Sequence, residues 1–168
     1  MSPEATAGRL RSRLAEAGYT VRAETIGGVP TDIGHKRTTH WPTLTSMHLF
    51  VAIGRVEDSH AVTAQKYTEA VLDHACANKP GLPRGFQTGV LATAFLVVPT
   101  TDQASRATVA EETPLKRFAG MTSTVLVDAS ADAFYTYRGR RVIGGAYNNV
   151  FAREIEKMTS GLLKAGSM

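Results

Sequence analysis

"SMHLFVAIGRV", residues 46–56, carries apolar side chains on both faces of an extended chain: Met47, Leu49, Val51 and Ile53 on one, His48, Phe50 and Ala52 on the other. A strand with one wet face alternates apolar with polar residues, whereas a strand covered on both sides does not. The stretch therefore predicts a central strand between two layers of helix. Its neighbours agree. In "EDSHAVTAQKYTEAVLDHACANK" (57–79), Ala61, Ala64, Thr68, Val71, Leu72 and Ala75 fall at helical spacing, and Asp58 or Ser59 is placed to accept from the first free N–H groups. "KPGLPRG" ends that helix. "VLATAFLVVP" (90–99) is a second buried strand, far short of the ~20 apolar residues of a membrane helix.

The flanks extend the pattern. Leu10, Leu14 and Ala17 predict an N-terminal helix closed by Gly18 in the left-handed region. "YTVRAETI" (19–26) alternates as a half-buried strand and "GGVP" interrupts it. Asp102 caps a short helix over 100–114 that Pro114 stops, and "MTSTVLVD" (121–128) is a further strand. "AFYTYRG" and "RRVIGG" (133–145) read as a hairpin turned around Arg138-Gly139-Arg140. In the last helix, from about Ala146 to Lys164, Tyr147, Val150, Phe151, Ile155, Met158 and Leu162 form the apolar side. The order is α-β-(β)-β-α-β-α-β-β-β-α, the bracketed strand falling between 26 and 46. Strands alternating with helices require partly parallel pairing. The fold class is thus α/β, with α+β the alternative: one domain over 1–168, a sandwich with a mixed sheet of about five or six strands flanked by helices.

Composition fits that reading. At 168 residues, 43% hydrophobic and 20% charged, the chain can bury roughly 70% of its unfolded surface without disulfides. The single cysteine, Cys76, forms no internal bridge, and no apolar leader opens the sequence, so a cytoplasmic protein is expected, without membrane contact. A net charge of +4 and a pI near 9.4 are mild, compatible with a polyanionic partner or a slightly basic surface.

"TDIGHKRTTHWP" (31–42) concentrates an acid, two histidines, two basic residues and the one tryptophan. It reads as a polar loop. Asp32, His35 and His40 are its candidate metal ligands, yet histidines five apart on a loop impose no geometry, and no cysteine pair helps. Trp41, before proline, reads as extended and covering a core edge. The chain has no nucleophile elbow, no dinucleotide fingerprint and no P-loop, and Cys76 lacks a neighbour that would activate it. No cofactor is expected.

The succession helix, three strands, helix, strand, helix, strand resembles the restriction-endonuclease-like core over roughly residues 5–128, by topology alone. In that family an acid ends the second core strand and an acid-x-lysine pair lies on the third, together gripping a divalent ion. The resemblance puts Asp32 at the first acid. The next strand offers neither acid nor lysine before Glu57, and Glu57-Asp58-Ser59 lacks the lysine. The family at times moves such groups to the following helix, where Lys66 lies. Asp32, Glu57 and Lys66 are therefore the candidate catalytic residues, in a metal grip that reads as broken.

"YRGRRVIGGAYNN" (137–149) sets Arg138, Arg140 and Arg141 on a turn ahead of Gly144 and Gly145 and the start of the last helix. Guanidinium forks beside free helix N–H groups suit an anion or nucleic acid. Glycines that reverse the chain and a charged hairpin tip explain the same residues without a ligand. Three functions are expected in descending order. The first is a non-catalytic binding or self-associating protein, dimerising through "AFYTY" and the last helix. The second is a nucleic-acid-associated protein with a nuclease-like core, and the third a metal-dependent hydrolase using Asp32, His35 and His40.

Overall fold

The computed structural model describes residues 1–40, 45–81, 88–111, 116–117, 120–139 and 147–167. The elements are α1 (Pro3–Glu16), β1 (Thr20–Ile26), β2 (Val29–His40), β3 (Thr45–Arg55), α2 (Ala64–Asn78), β4 (Thr88–Val98), α3 (Gln103–Glu111), β5 (Lys116–Arg117), β6 (Gly120–Asp128), β7 (Ala133–Thr136), α4 (Asn148–Thr159) and β8 (Lys164–Ala165). They form one mixed sheet in the order β1-β2-β3-β4-β6-β7-β8, with β5 paired to β6 beside that row. The first three strands are antiparallel neighbours, β3, β4 and β6 run parallel, and β7 returns antiparallel to β6. Helices α2 and α3 make the two crossovers and cover one face. The strand order advances the same way at each crossover, so a common hand puts both helices on one side. Helices α1 and α4 cover the other face.

The expected central strand is central. Met47, Leu49, Val51 and Ile53 of β3 join Leu10, Leu14, Phe95, Phe151 and Met158 beneath α1 and α4. Phe50 and Ala52 join Tyr67, Val71, Ala94 and Leu96 beneath α2. Every residue of β4 is buried, as its unbroken apolar run requires. Each large side chain so enclosed contributes about 1.5–3 kcal/mol. None of the described helices is long and apolar enough to cross a membrane.

Three expectations change, and a fourth lies outside the described residues. Most of the stretch read as a polar loop is β2, the full second strand. Gly27 and Gly28, both at positive φ (59° and 78°), make the two-residue turn whose mirror-image twist suits a hairpin, and they fix the register Ile26↔Val29. The strand's polarity disguised it. Only alternate residues need be apolar, and the charged ones find partners on other parts of the chain, Asp32 in Arg11 and Arg55 and Lys36 in the Ala17 carbonyl. Helix α2 begins at Ala64, not near 57, because Thr63 supplies the cap by accepting from the Lys66 N–H. Asp58 and Ser59 instead fix the preceding loop, Asp58 by accepting from the His60 N–H and Ser59 by donating to the Thr100 carbonyl. Strand β7 pairs with β6 and β8, while the expected return arm of its hairpin, with Arg140, Arg141, Gly144 and Gly145, lies outside the described residues, as does Trp41. Among the described residues the sheet has eight strands, above the expected five or six, with β2 and the two-residue β5 and β8 among them.

Gly34 on β2 lies under α1. A Cβ there would come 2.8 Å from Leu14 Cδ2 and 3.0 Å from Tyr19 Cβ. Leu14 is fully buried and cannot yield, so Gly34→Ala should cost about 1–3 kcal/mol by overpacking. Urea denaturation measures this, and an unchanged midpoint would mean that α1 does not bear on β2.

Candidate functional site

Side chains alternate along β2, so its polar residues divide between the two faces of the sheet. Asp32 and Gly34 face α1, whereas Ile33 and His35 face α2. Asp32 is buried, and its carboxylate lies 3.7 Å from Arg11 Nε on α1 and 3.7 Å from Arg55 Nη1 at the end of β3. Arg55 reaches back to Glu4 in the first turn of α1. Two carboxylates and two guanidiniums thus span α1, β2 and β3 at the carboxyl end of β3. Across the ladder Asp32 is paired with Ile53, and two residues further on β3 stands Arg55. Arg11 keeps about half its side chain exposed (55%), so this guanidinium can turn outward to another anion.

On the opposite face, His35 Nε2 and His48 Nδ1 share one hydrogen bond of 2.8 Å. Phe50, directly across from His35, packs on that ring at 4.6 Å between centroids. Burial lowers the His48 pKa to about 4, helped by His35, Lys79 and Arg37. Burial, then Arg22, also lowers that of His35. The rings are therefore a neutral pair at physiological pH, one donating and one accepting. Surrounding cations make this a poor place for a metal ion.

A third buried polar group closes the carboxyl end of the sheet. Asp128, the last residue of β6, is 1% exposed. One carboxylate oxygen accepts from the Thr101 N–H (2.9 Å) and hydroxyl (2.8 Å), with Arg106 at 3.5 Å; the other accepts from the Ser130 hydroxyl (2.7 Å) and the Ala131 N–H (3.0 Å). Burial pushes its pKa up, but these hydrogen bonds outweigh burial and hold it below the usual carboxylate range. A carboxylate this fully engaged organises two loops and has no lone pair left for chemistry.

The candidate residues do not come together as one centre. Asp32 faces α1. Lys66 is exposed on α2, which packs on the other face, and Glu57 stands on the loop after β3 at the rim of a crevice on that same α2 side. Asp32 and His35 are on opposite faces of β2, and the side chain of His40 lies outside the described residues. Among the described residues no three His, Cys, Asp or Glu side chains are grouped to hold a metal ion. Arg138 is exposed at the end of β7. Sequence reasoning noted Arg11 only as one of the closely spaced Arg9, Arg11 and Arg13, and missed its pairing with Asp32, the roles of Arg55 and Glu4, and the His35–His48 pairing. The partnerships of Arg55 and His48 depend on β2 being a strand and on its register with β3, which the length of the intervening turn does not reveal. No protein-family model, curated protein or solved structure matches the chain.

Proposed function

We propose that this protein binds nucleic acid through a nuclease-like core that does not cut. The observation that carries the reading is the pairing across Asp32. Where the restriction-endonuclease-like core would carry an acid-x-lysine pair on its third strand, β3 carries Ile53-Gly54-Arg55, with Ile53 directly opposite Asp32. An isoleucine ligates nothing, and two guanidiniums within 4 Å of Asp32 occupy the space and supply the charge that a divalent ion would supply. Arginine suits the opposite role, gripping phosphate oxygens through its fork. Arg11 of α1 belongs to this cluster, Arg9 and Arg13 stand on the other side of the same helix, and the chain carries a net charge of +4. Self-association is the less favoured reading, because Phe151, Ile155 and Met158 of α4 and Tyr135 of β7 are all buried within the chain itself.

Fluorescence anisotropy with labelled duplex DNA and RNA tests the proposal. Expected is micromolar binding at 50 mM salt that weakens at least tenfold by 200 mM, with the salt slope reduced by about one for each phosphate contact removed in Arg9→Ala or Arg11→Ala. Arg138→Ala reports on β7 in the same way. No binding at 50 mM overturns the proposal. Mg²⁺- or Mn²⁺-dependent cleavage that Asp32→Asn abolishes would replace it with an active nuclease.

A further inference from the structure

A crevice of about 720 Å³ opens at the carboxyl ends of the parallel strands, on the face covered by α2 and α3 and away from the Asp32 cluster. Open α/β sheets bind small ligands at this end, where loops diverge from the strand tips, and the volume is that of a small-molecule site. Its floor is apolar. Leu96 and Val98 from β4, Leu126 from β6 and Val109 from α3 present their surfaces there, with Val62 at the side. All the lining residues lie within the described parts of the chain.

The rim decides what the crevice can hold. Its charged groups are the carboxylates of Glu57, Asp58 and Asp102, and no lysine or arginine lines it. Arg106, next in sequence to Ser105 of the lining, donates to the Thr101 carbonyl and pairs with Asp128, and Arg55, two residues before Glu57, pairs with Glu4 and Asp32. Several rim hydroxyls already have partners: Ser59 donates to the Thr100 carbonyl, Thr108 to the Ala104 carbonyl and Thr101 to Asp128, and Thr63 caps α2; His60 and Gln65 are the other polar side chains of the rim. Asp58 accepts from the His60 N–H through one oxygen, and Asp102 accepts from the Ser105 N–H and is met by the Ser105 side chain as well; both remain exposed carboxylates at the mouth. Two helix N-termini, at α2 and α3, oppose this with roughly half a positive charge each, against three carboxylates. The free polar capacity at the mouth is thus mostly acceptor and negative, on a protein that is positive as a whole.

We propose that this crevice binds a small organic ammonium ion with an apolar body, the body resting on Leu96, Val98 and Leu126 and the ammonium donating to Glu57, Asp58 and Asp102. The site is separate from the nucleic-acid reading and stands or falls without it. Titrations of the full chain followed by NMR use three probes that differ mainly in the end group: 2-phenylethylammonium, 2-phenylethanol and 3-phenylpropionate. The ammonium is expected to give saturable shifts of residues in the loops 57–63 and 99–105, and the carboxylate none. Affinity for the ammonium should fall at least tenfold in the Glu57→Gln/Asp58→Asn/Asp102→Asn variant, whose asparagines keep an acceptor for the His60 N–H and for the Ser105 N–H at the start of α3. Thr108→Trp, on an exposed position of α3, should fill the mouth and abolish binding while leaving the melting temperature unchanged. The proposal is overturned if no probe saturates by 10 mM, if alcohol or carboxylate binds as well as the ammonium, or if the ammonium shifts survive both variants.

Discussion

Asp128→Ala is expected to remove about 3–5 kcal/mol of folding stability, the cost of breaking a buried charged network on one side. For a chain of 168 residues this corresponds to a fall in melting temperature of roughly 10 °C. The carboxylate receives four hydrogen bonds from two loops, from Thr101 ahead of α3 and from Ser130 with Ala131 between β6 and β7, which are otherwise joined by the Ser130 N–H donating to the Pro99 carbonyl (3.1 Å). Alanine leaves all four donors facing an apolar gap. It also frees Arg106, which lies over the Tyr135 ring at 5.0 Å and donates to the Thr101 hydroxyl (2.6 Å) and carbonyl (2.8 Å). Asp128→Asn keeps the shape but turns an NH2 group toward donors, so its loss should be intermediate, about 1–3 kcal/mol. Arg106→Ala should cost less than Asp128→Ala, since a third of that side chain is exposed and its ion pair with Asp128 is long. Thermal and urea denaturation rank the three. A loss below 1 kcal/mol for Asp128→Ala would show that the two loops hold without the carboxylate.

Asp128 also shows what is legible in the sequence and what is not. The apolar runs of β3 and β4 announce buried strands because nothing but double burial accounts for them, and the i, i+4 spacing in α1 and α4 announces helix faces. Periodicity was enough for the layers and for the parallel centre of the sheet. It failed at β2, where alternate positions are polar and the compensating partners, Arg11, Arg55 and His48, come from other elements. A buried aspartate ending a strand looks, in sequence, like one starting a loop. Its role follows from Thr101, 27 residues earlier, arriving at the same strand end through a parallel crossover. Long-range pairings of this kind are set by register, which the pattern of single residues does not encode.

Acid is expected to weaken the fold in two separate steps, the first belonging to the His35–His48 pair. Both imidazoles titrate below their ordinary value of 6.5, His48 at about 4, so between these values the unfolded chain binds more protons than the folded one. Stability contributed by the pair is therefore fully present above pH 6.5, declines as pH falls toward 4, and has no more to lose below that. For His48 the loss amounts to about 2–3 kcal/mol. The geometry explains it. A first proton can still be shared across 2.8 Å, but a second makes both facing nitrogens donors, with Arg37, Arg22 and Lys79 adding like charge around them. Asp128 contributes in the same sense but lower on the scale, its stabilisation being present above the ordinary carboxylate pKa near 3.9 and lost as pH falls through its depressed value. Urea midpoints at pH 7, 5.5 and 4 follow the first step, and a further midpoint at pH 2.5 follows the second. His48→Gln should be less stable than the parent chain at pH 7 but lose far less between pH 7 and 4, so the two stability curves converge. Parallel curves over that interval would remove the imidazole pair as the acid-sensitive element, and ring resonances of both histidines titrating near 6.5 would remove it independently.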